Sequence, residues 1–364
     1  MVVQFALYLR GLHWAPVSIS LVLSAGLGLG AALSLVAGPL SDRWGRRGFL
    51  IGYEIMQAAA AIVALITAAP GPLAAAAIAG EFGRGANGAA GPFAPVEQAW
   101  LAEGLGPAER GVVFSASASA GFGGMAVGAL LAALTPIVGA WLGFAVVLAA
   151  SLGCLGLLGS LRERRADPQP ELRREAQIRR RENGLVLRLM LANALNGLGI
   201  GMVGPLIAYW FAVRFGRGPS AIGPLLAASF ALTGLASLGA GRLTRRHGVV
   251  GTVVGLRLAG IALLLAMPFA PGFGVAALLY TARSMLNRST IGARNALSVG
   301  LVGAERRGFV ASVAAVSSAV PRAAGPLLTG VMFQHGWLAL PFVLGAVCQA
   351  GYLVVFSGFR SAAG

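Results

Sequence analysis

Eleven stretches of this chain stay apolar for about twenty residues or more, and no other feature restricts the fold so severely. They fall near residues 17–40, 48–68, 74–102, 111–134, 139–160, 187–212, 220–241, 249–268, 272–300, 308–333 and 338–357. Each is long enough as a helix to cross a hydrocarbon core of about 30 Å. In lipid the backbone must satisfy its own polar groups, so such segments are helices or closed barrels, and their length selects helices. The expected fold class is all-α and polytopic.

Composition supports a lipid-covered surface. Only 11% of residues are charged, against about a quarter in a soluble domain. The 54 glycines suit close helix contacts in a bilayer, where packing drives association. The formal charge of +16 invites a nucleic-acid reading. The basic residues, all arginine and none lysine, instead sit in short loops between apolar stretches, as membrane orientation requires. No nucleic-acid partner is expected. Cys154 and Cys348 fall in apolar segments and suggest neither a disulfide nor a metal site. The start of the chain lacks the basic region of a signal peptide.

Arginine placement sets the orientation. One set of loops holds Arg43, Arg46, Arg47, Arg110, Arg242, Arg245, Arg246, Arg306 and Arg307, together with an arginine-rich stretch at 161–186. The opposite set holds only Arg10, Arg214 and Arg217. The first set is expected to be cytoplasmic, in a multi-pass protein of the cell membrane.

The chain also repeats itself. Gly38-Pro-Leu-Ser-Asp-Arg-Trp-Gly45 matches Gly241-Arg-Leu-Thr-Arg-Arg-His-Gly248, and Pro16 matches Pro219 at the same offset. Arg110-Gly111 matches Arg307-Gly308, and Gly128 matches Gly325. Two pseudo-symmetric six-helix bundles are expected, residues 1–160 and 187–364, joined by a polar cytoplasmic linker at 161–186 that is partly helical from 171 to 182. In this alignment Met1 matches Gly204, so the first helix is expected to be mostly missing, leaving about eleven full transmembrane helices.

The segment Gly38-Pro-Leu-Ser-Asp42-Arg43-Trp-Gly45-Arg46-Arg47-Gly-Phe-Leu50 resembles the signature loop between the second and third helices of major facilitator superfamily transporters. The stretch Arg84-Gly-Ala-Asn-Gly-Ala-Ala-Gly91, with Pro95, Gln98-Ala-Trp-Leu-Ala-Glu103, Pro107 and Arg110-Gly111, is similar to the family's fourth-helix region. Two departures stand out. Arg245 replaces the acid of the second signature loop, and Gly121, Gly124 and Gly128 stand without the Gly-Pro pair of drug antiporters. The resemblance implies a cytoplasmic gating loop of Gly38, Asp42, Arg43, Gly45, Arg46 and Arg47, with Glu103 as an acid the arginines can meet.

Charges inside a bilayer face a cavity or a partner. The candidates are Glu54, Glu81, Arg84, Glu97, Arg257, Arg283, Arg288, Arg294 and Arg322. On a continuous helix Glu81 and Arg84, three residues apart, share a face, as do Arg283, Asn287 and Arg294. Glu54 and Arg257 occupy matching repeat positions with opposite charge. The family lines its central cavity with the first, fourth, seventh and tenth helices. The resemblance thus implies a substrate and coupling cavity of Glu81, Arg84, Asn193, Asn196, Arg283 and Asn287, with Tyr209 and Trp210 at its outer end.

The expected function is secondary active transport of a small organic solute by alternating access, with Glu81 carrying a coupling proton and export as the direction. The alternatives are uptake of an anionic nutrient and a non-transporting membrane sensor or degenerate carrier. No phosphate-loop motif is present to couple ATP. The three histidines lie in loops and the cysteines lack matching spacing, so neither an enzyme nor a cofactor or metal site is expected. The expected partners are the solute, a proton and the lipid around a monomer.

Overall fold

The computed structural model describes residues 4–82, 91, 93, 96–97, 100–101, 107–161, 176–289, 291 and 307–359. Of residues 38–40, 42–44, 107–112, 114–115, 118, 176–182, 237–245, 247 and 307–312 it describes the backbone alone.

The described chain is helical. The elements are α1 (Gln4–Gly11), α2 (Pro16–Trp44), α3 (Arg46–Ile66), α4 (Pro70–Ala79), α5 (Pro107–Ala133), α6 (Trp141–Ser160), α7 (Ala176–Val203), α8 (Ile207–Phe215), α9 (Pro219–His247), α10 (Val249–Ala266), α11 (Phe273–Arg288), α12 (Arg307–Gln334) and α13 (Leu340–Ser357). Seven helices among the described residues are long and apolar enough to span a membrane. Pro16, Pro70 and Pro219 open their helices, where a missing N–H costs nothing.

The repeat seen in the sequence governs the helix starts. α8, α9, α10 and α11 begin 203 residues after α1, α2, α3 and α4. In each half a single glycine reverses the chain between two consecutive long helices: Gly45, at φ 100°, between α2 and α3, and Gly248, at φ 72°, between α9 and α10. L-residues avoid this region, at a cost of about 1–3 kcal/mol. Gly45→Ala is therefore expected to lower the thermal unfolding midpoint in detergent. Gly48→Ala, where an added Cβ meets nothing within 4 Å, is expected to leave it in place.

Within the halves, α3 packs on α6 and α4, and α10 packs on α11 and α13. The halves meet chiefly through two helix pairs, α2 with α12 and α5 with α9, with a smaller contact between α1 and α8. α12 also lies along α7 with backbones in near contact, since a Cβ on Gly325 would strike the backbone of Gly201 and Met202. Thr329 locks this contact, its Oγ1 donating to the Met202 carbonyl at 2.6 Å.

Three expectations change. The fourth span is not one helix over 74–102: α4 ends at Ala79, and Glu81 takes a left-handed φ of 46°. Phe82 then turns into the core against Phe5 (5.4 Å) and Phe144 (5.6 Å). The shared-face argument for Glu81 and Arg84 therefore fails, because Glu81 is outside the helix. The seventh span is broken at residues 204–206, around Pro205, into α7 and α8. Finally, the helix expected to stop at 182 continues through Asn183 into the seventh span as part of α7.

Candidate functional site

In the first half the site centres on Glu81. Eleven residues beyond the start of α4, it lies about 16 Å below the outer end, near half depth. Its side chain is buried against Gly30 of α2, where an added Cβ would strike the carboxylate. The Ser34 hydroxyl donates to the Gly30 carbonyl at 2.8 Å on the same helix. A left-handed non-glycine residue is an uncommon and strained conformation, and such outliers collect at functional positions.

The second half carries buried cations. Arg283 and Arg288 project from α11, each 8% exposed. Arg288 donates through Nη2 to the Tyr280 hydroxyl at 3.3 Å, and its guanidinium lies 5.1 Å over the Phe230 ring of α9. Arg283 makes no ion pair among the described residues, and its buried Nε has no hydrogen-bond partner. Arg322 on α12 donates to the Ser318 hydroxyl at 3.3 Å.

Of the expected cavity residues that are described, the three asparagines take partners on α12 and α10. Asn193 Nδ2 reaches the Ala314 carbonyl of α12 at 3.4 Å. Asn196, 3% exposed, is turned instead to Arg257 of α10, whose Nη1 donates to its Oδ1 at 2.6 Å. Asn287 also faces α10, since a Cβ on Gly260 would strike its side-chain amide. Arg84 lies outside the described residues. Trp210 stands on α8. It is buried within the second half, its Nε1 donating to the Leu338 carbonyl at 3.1 Å, and it lines a cleft of about 680 Å³ with Arg214 and Trp337.

At the signature loop, Arg47 donates through Nε to the Leu158 carbonyl at 2.7 Å and through Nη2 to the Gly159 carbonyl at 2.6 Å. It thereby caps the C-terminus of α6, where orphan carbonyls and the helix dipole favour a cation. Asp42, Arg43 and Gly38 are described only as helical backbone at the end of α2. Glu103 lies outside the described residues.

The opposite end of the molecule is closed. Arg10 of α1 sits 5.7 Å over the Tyr209 ring, which stacks on Phe333 of α12 at 5.9 Å. Gly330 of α12 admits Ser20 and the Pro16 carbonyl of α2, and Gly223 of α9 admits the Ala129 carbonyl and Ala133 of α5.

Reasoning from sequence missed Tyr352 of α13, whose ring lies 5.1 Å from the Arg257 guanidinium, and Gln349 one turn before it, packed beside Gly199 of α7. The signal was present: Gln349 is the one amide in an otherwise apolar span with no charge.

Two helical repeats that meet along two helix pairs, with polar side chains buried at half depth, define a polytopic carrier of the inverted or parallel repeat kind. The family model described as Major Facilitator Superfamily matches residues 1–187, more than half of the 364. The chain belongs to that superfamily, whose members carry small-molecule solutes across membranes, and it is a multi-pass integral membrane protein.

Solved structures share the fold. One is a bacterial homologue of the human lysosomal transporter Spinster, in an inward-facing and unoccupied conformation, at TM-score 0.73 and 16% identity over 100% of this chain and 94% of that one. The human organic anion transporter MFSD10 (TETRAN) aligns at TM-score 0.64 and 17% identity over 93% and 83% of the two chains. The nucleoside transporter NupG, as a point mutant, aligns at TM-score 0.67 and 14% identity over 99% and 97%. No curated protein sequence matches the chain.

Proposed function

We propose that this protein exports a small organic solute across the cell membrane by alternating access, driven by the proton gradient, and that Glu81 carries the coupling proton. The observation behind this reading is the placement of Glu81. It is a carboxylic acid held near half depth in a strained left-handed turn, buried against a glycine of the neighbouring helix. An acid in low-dielectric surroundings exchanges its proton when a charge or solvent reaches it, which is what coupling needs. The signature loop, Gly38, Asp42, Arg43, Gly45, Arg46 and Arg47 with Glu103, acts as the inner latch.

The test is transport in vesicles with an imposed pH gradient. Glu81→Gln keeps the shape of the side chain and removes its proton. Gradient-driven accumulation is expected to fall by about a hundredfold or more while solute exchange at equal pH continues, the lower end of what a positioned proton-transfer group supplies. Unchanged dependence on the gradient would overturn the assignment.

A second reading is uptake of an anionic nutrient by a monomer of the same design. The buried Arg283 and Arg288 and the half-buried Arg322 favour it, and residues 187–364 hold fourteen arginines and a single acid, Glu305. Competition by organic anions in the same vesicles, inward against outward, separates the two readings.

A further inference from the structure

We infer that the cleft beside Trp210 and Arg214 binds the headgroup of an anionic glycerophospholipid, with an acyl chain of that lipid lying along α13. The site is separate from the contacts between the halves and from Glu81.

The cleft belongs to the second half. Its lining includes Trp210 and Arg214 of α8, Pro268, Trp337, and Leu340 and Val343 of α13. Among the described residues, α2, α5, α9 and α12 contribute nothing to it, and those are the helices through which the halves chiefly meet. Its volume of about 680 Å³ lies within the range of small-ligand sites, about 300–1,000 Å³. Trp210 gives it a fixed wall, since its Nε1 is committed to the Leu338 carbonyl and its ring lies 4.7 Å from Phe342. Arg214 follows one turn later on α8 and is exposed, its guanidinium 5.6 Å over the Phe215 ring. Trp337 is exposed as well. His335 stacks on it at 5.2 Å, and His335 Nδ1 lies 2.9 Å from the Val331 carbonyl, which ties the stacked pair to the end of α12.

Charge selects an anion. The segments that turn the chain at this end, residues 12–15, 67–69, 134–140, 216–218, 270–272 and 335–339, hold no Asp or Glu. The charged residues there are Arg10, Arg214 and Arg217. A guanidinium grips a phosphodiester through paired N–H donors, and the Trp337 indole N–H is a further donor in the same cleft. A headgroup that carries an ammonium would meet only like charge, so an amine-free anionic headgroup is favoured.

Shape selects a lipid. Val343, Val347, Ala350 and Val354 are exposed on α13, at the spacing of one helix face. Val343 belongs both to this stripe and to the cleft. From Val343 to Val354 the stripe runs about 16 Å, the depth of one leaflet in a core of about 30 Å. Trp337 stands at the headgroup end of it, the level at which membrane tryptophans collect. An apolar stripe alone would meet any lipid. Its continuity with a cationic cleft fixes one lipid in place.

The experiment uses the whole protein, stripped of lipid in detergent and titrated with phosphatidylglycerol, phosphatidylethanolamine or phosphatidylcholine of identical chains. Native mass spectrometry counts the bound lipid. Phosphatidylglycerol is expected to bind about tenfold more tightly than the other two, as two arginines near the headgroup would supply. Arg214→Gln is expected to weaken phosphatidylglycerol by about tenfold, the equivalent of one charge-assisted hydrogen bond. Arg217 lies at the same end but outside the cleft lining, and Arg217→Gln is expected to change binding by less than about twofold. Val343→Trp fills the cleft without changing charge and is expected to weaken binding as Arg214→Gln does. A phosphatidylglycerol with a photoactivatable acyl chain, irradiated in nanodiscs, is expected to label residues 340–354. Equal affinity for the three lipids would overturn the inference. So would equal losses from Arg214→Gln and Arg217→Gln, which would mean diffuse attraction to a cationic surface, or a label that falls outside α13. Transport activity enters none of these readings.

Discussion

Gly325→Leu is expected to abolish the folded protein, seen as loss of the monodisperse peak of a fluorescent fusion in detergent. At Gly325 of α12 the nearest atoms to an added Cβ are backbone atoms of Gly201 and Met202 on α7. Backbone atoms inside a helix cannot move aside like the end of a side chain. The same seam repeats one and two turns away, where Gly201 faces the backbone of Arg322 and Gly197 that of Ser318. Overpacking of a side-chain core costs about 1–3 kcal/mol; forcing two backbones apart along a whole seam exceeds that range. It also breaks the hydrogen bond from Thr329 to the Met202 carbonyl. Gly128 is the repeat partner of Gly325, yet an added Cβ there meets nothing within 4 Å. Gly128→Ala is expected to be neutral or stabilising by up to about 1 kcal/mol, the helix propensity difference. A folded Gly325→Leu protein of wild-type stability would show that the seam is not as close as described.

Gly223→Leu is expected to leave the fold intact and open the outer end. A Cβ at Gly223 of α9 would lie 2.6 Å from the Ala129 carbonyl oxygen and 2.8 Å from the Ala133 Cβ of α5. This contact joins the two halves, and it need not persist in every state of an alternating carrier. A bulky side chain there penalises only the outer-closed state. A penalty near the upper end of the overpacking range, about 3 kcal/mol, shifts the two-state ratio by more than about a hundredfold. Spin labels at Ile137, just beyond α5, and at Ser220, at the start of α9, both exposed, read the change once Cys154 and Cys348 have been replaced. The longer distance is expected to become the major population, with an unchanged unfolding midpoint. An unchanged distance distribution would show that closure does not run through the α5–α9 contact. The contrast with Gly325 is one of place: the same side chain destroys a seam inside a half and only shifts an equilibrium between halves.

The helical spans and the repeat were legible because they rest on local quantities. A run of apolar residues, a proline at Pro16 and Pro219, and a glycine at Gly45 and Gly248 each act within a few residues of chain. The break after Ala79 was not legible, because residues 74–102 keep their apolar character through it. Phe82 leaves the helix to reach Phe5 and Phe144, and those partners lie 77 and 62 residues away. Likewise Arg257 and Asn196 meet across 61 residues, a pairing that no periodicity encodes.

Apolar length and arginine placement therefore dictate a helical protein that threads the membrane in a given sense, since lipid admits no unsatisfied backbone and cytoplasmic loops collect cations. The duplicated signature loop adds the two halves and the family. Tertiary packing alone decides that Asn196 serves Arg257, that Glu81 sits in a strained turn against Gly30, and that Gly325 is closed where Gly128 is open. Repeat partners share a sequence context but not neighbours, and in a close-packed interior the neighbour within 4 Å settles what each side chain can do.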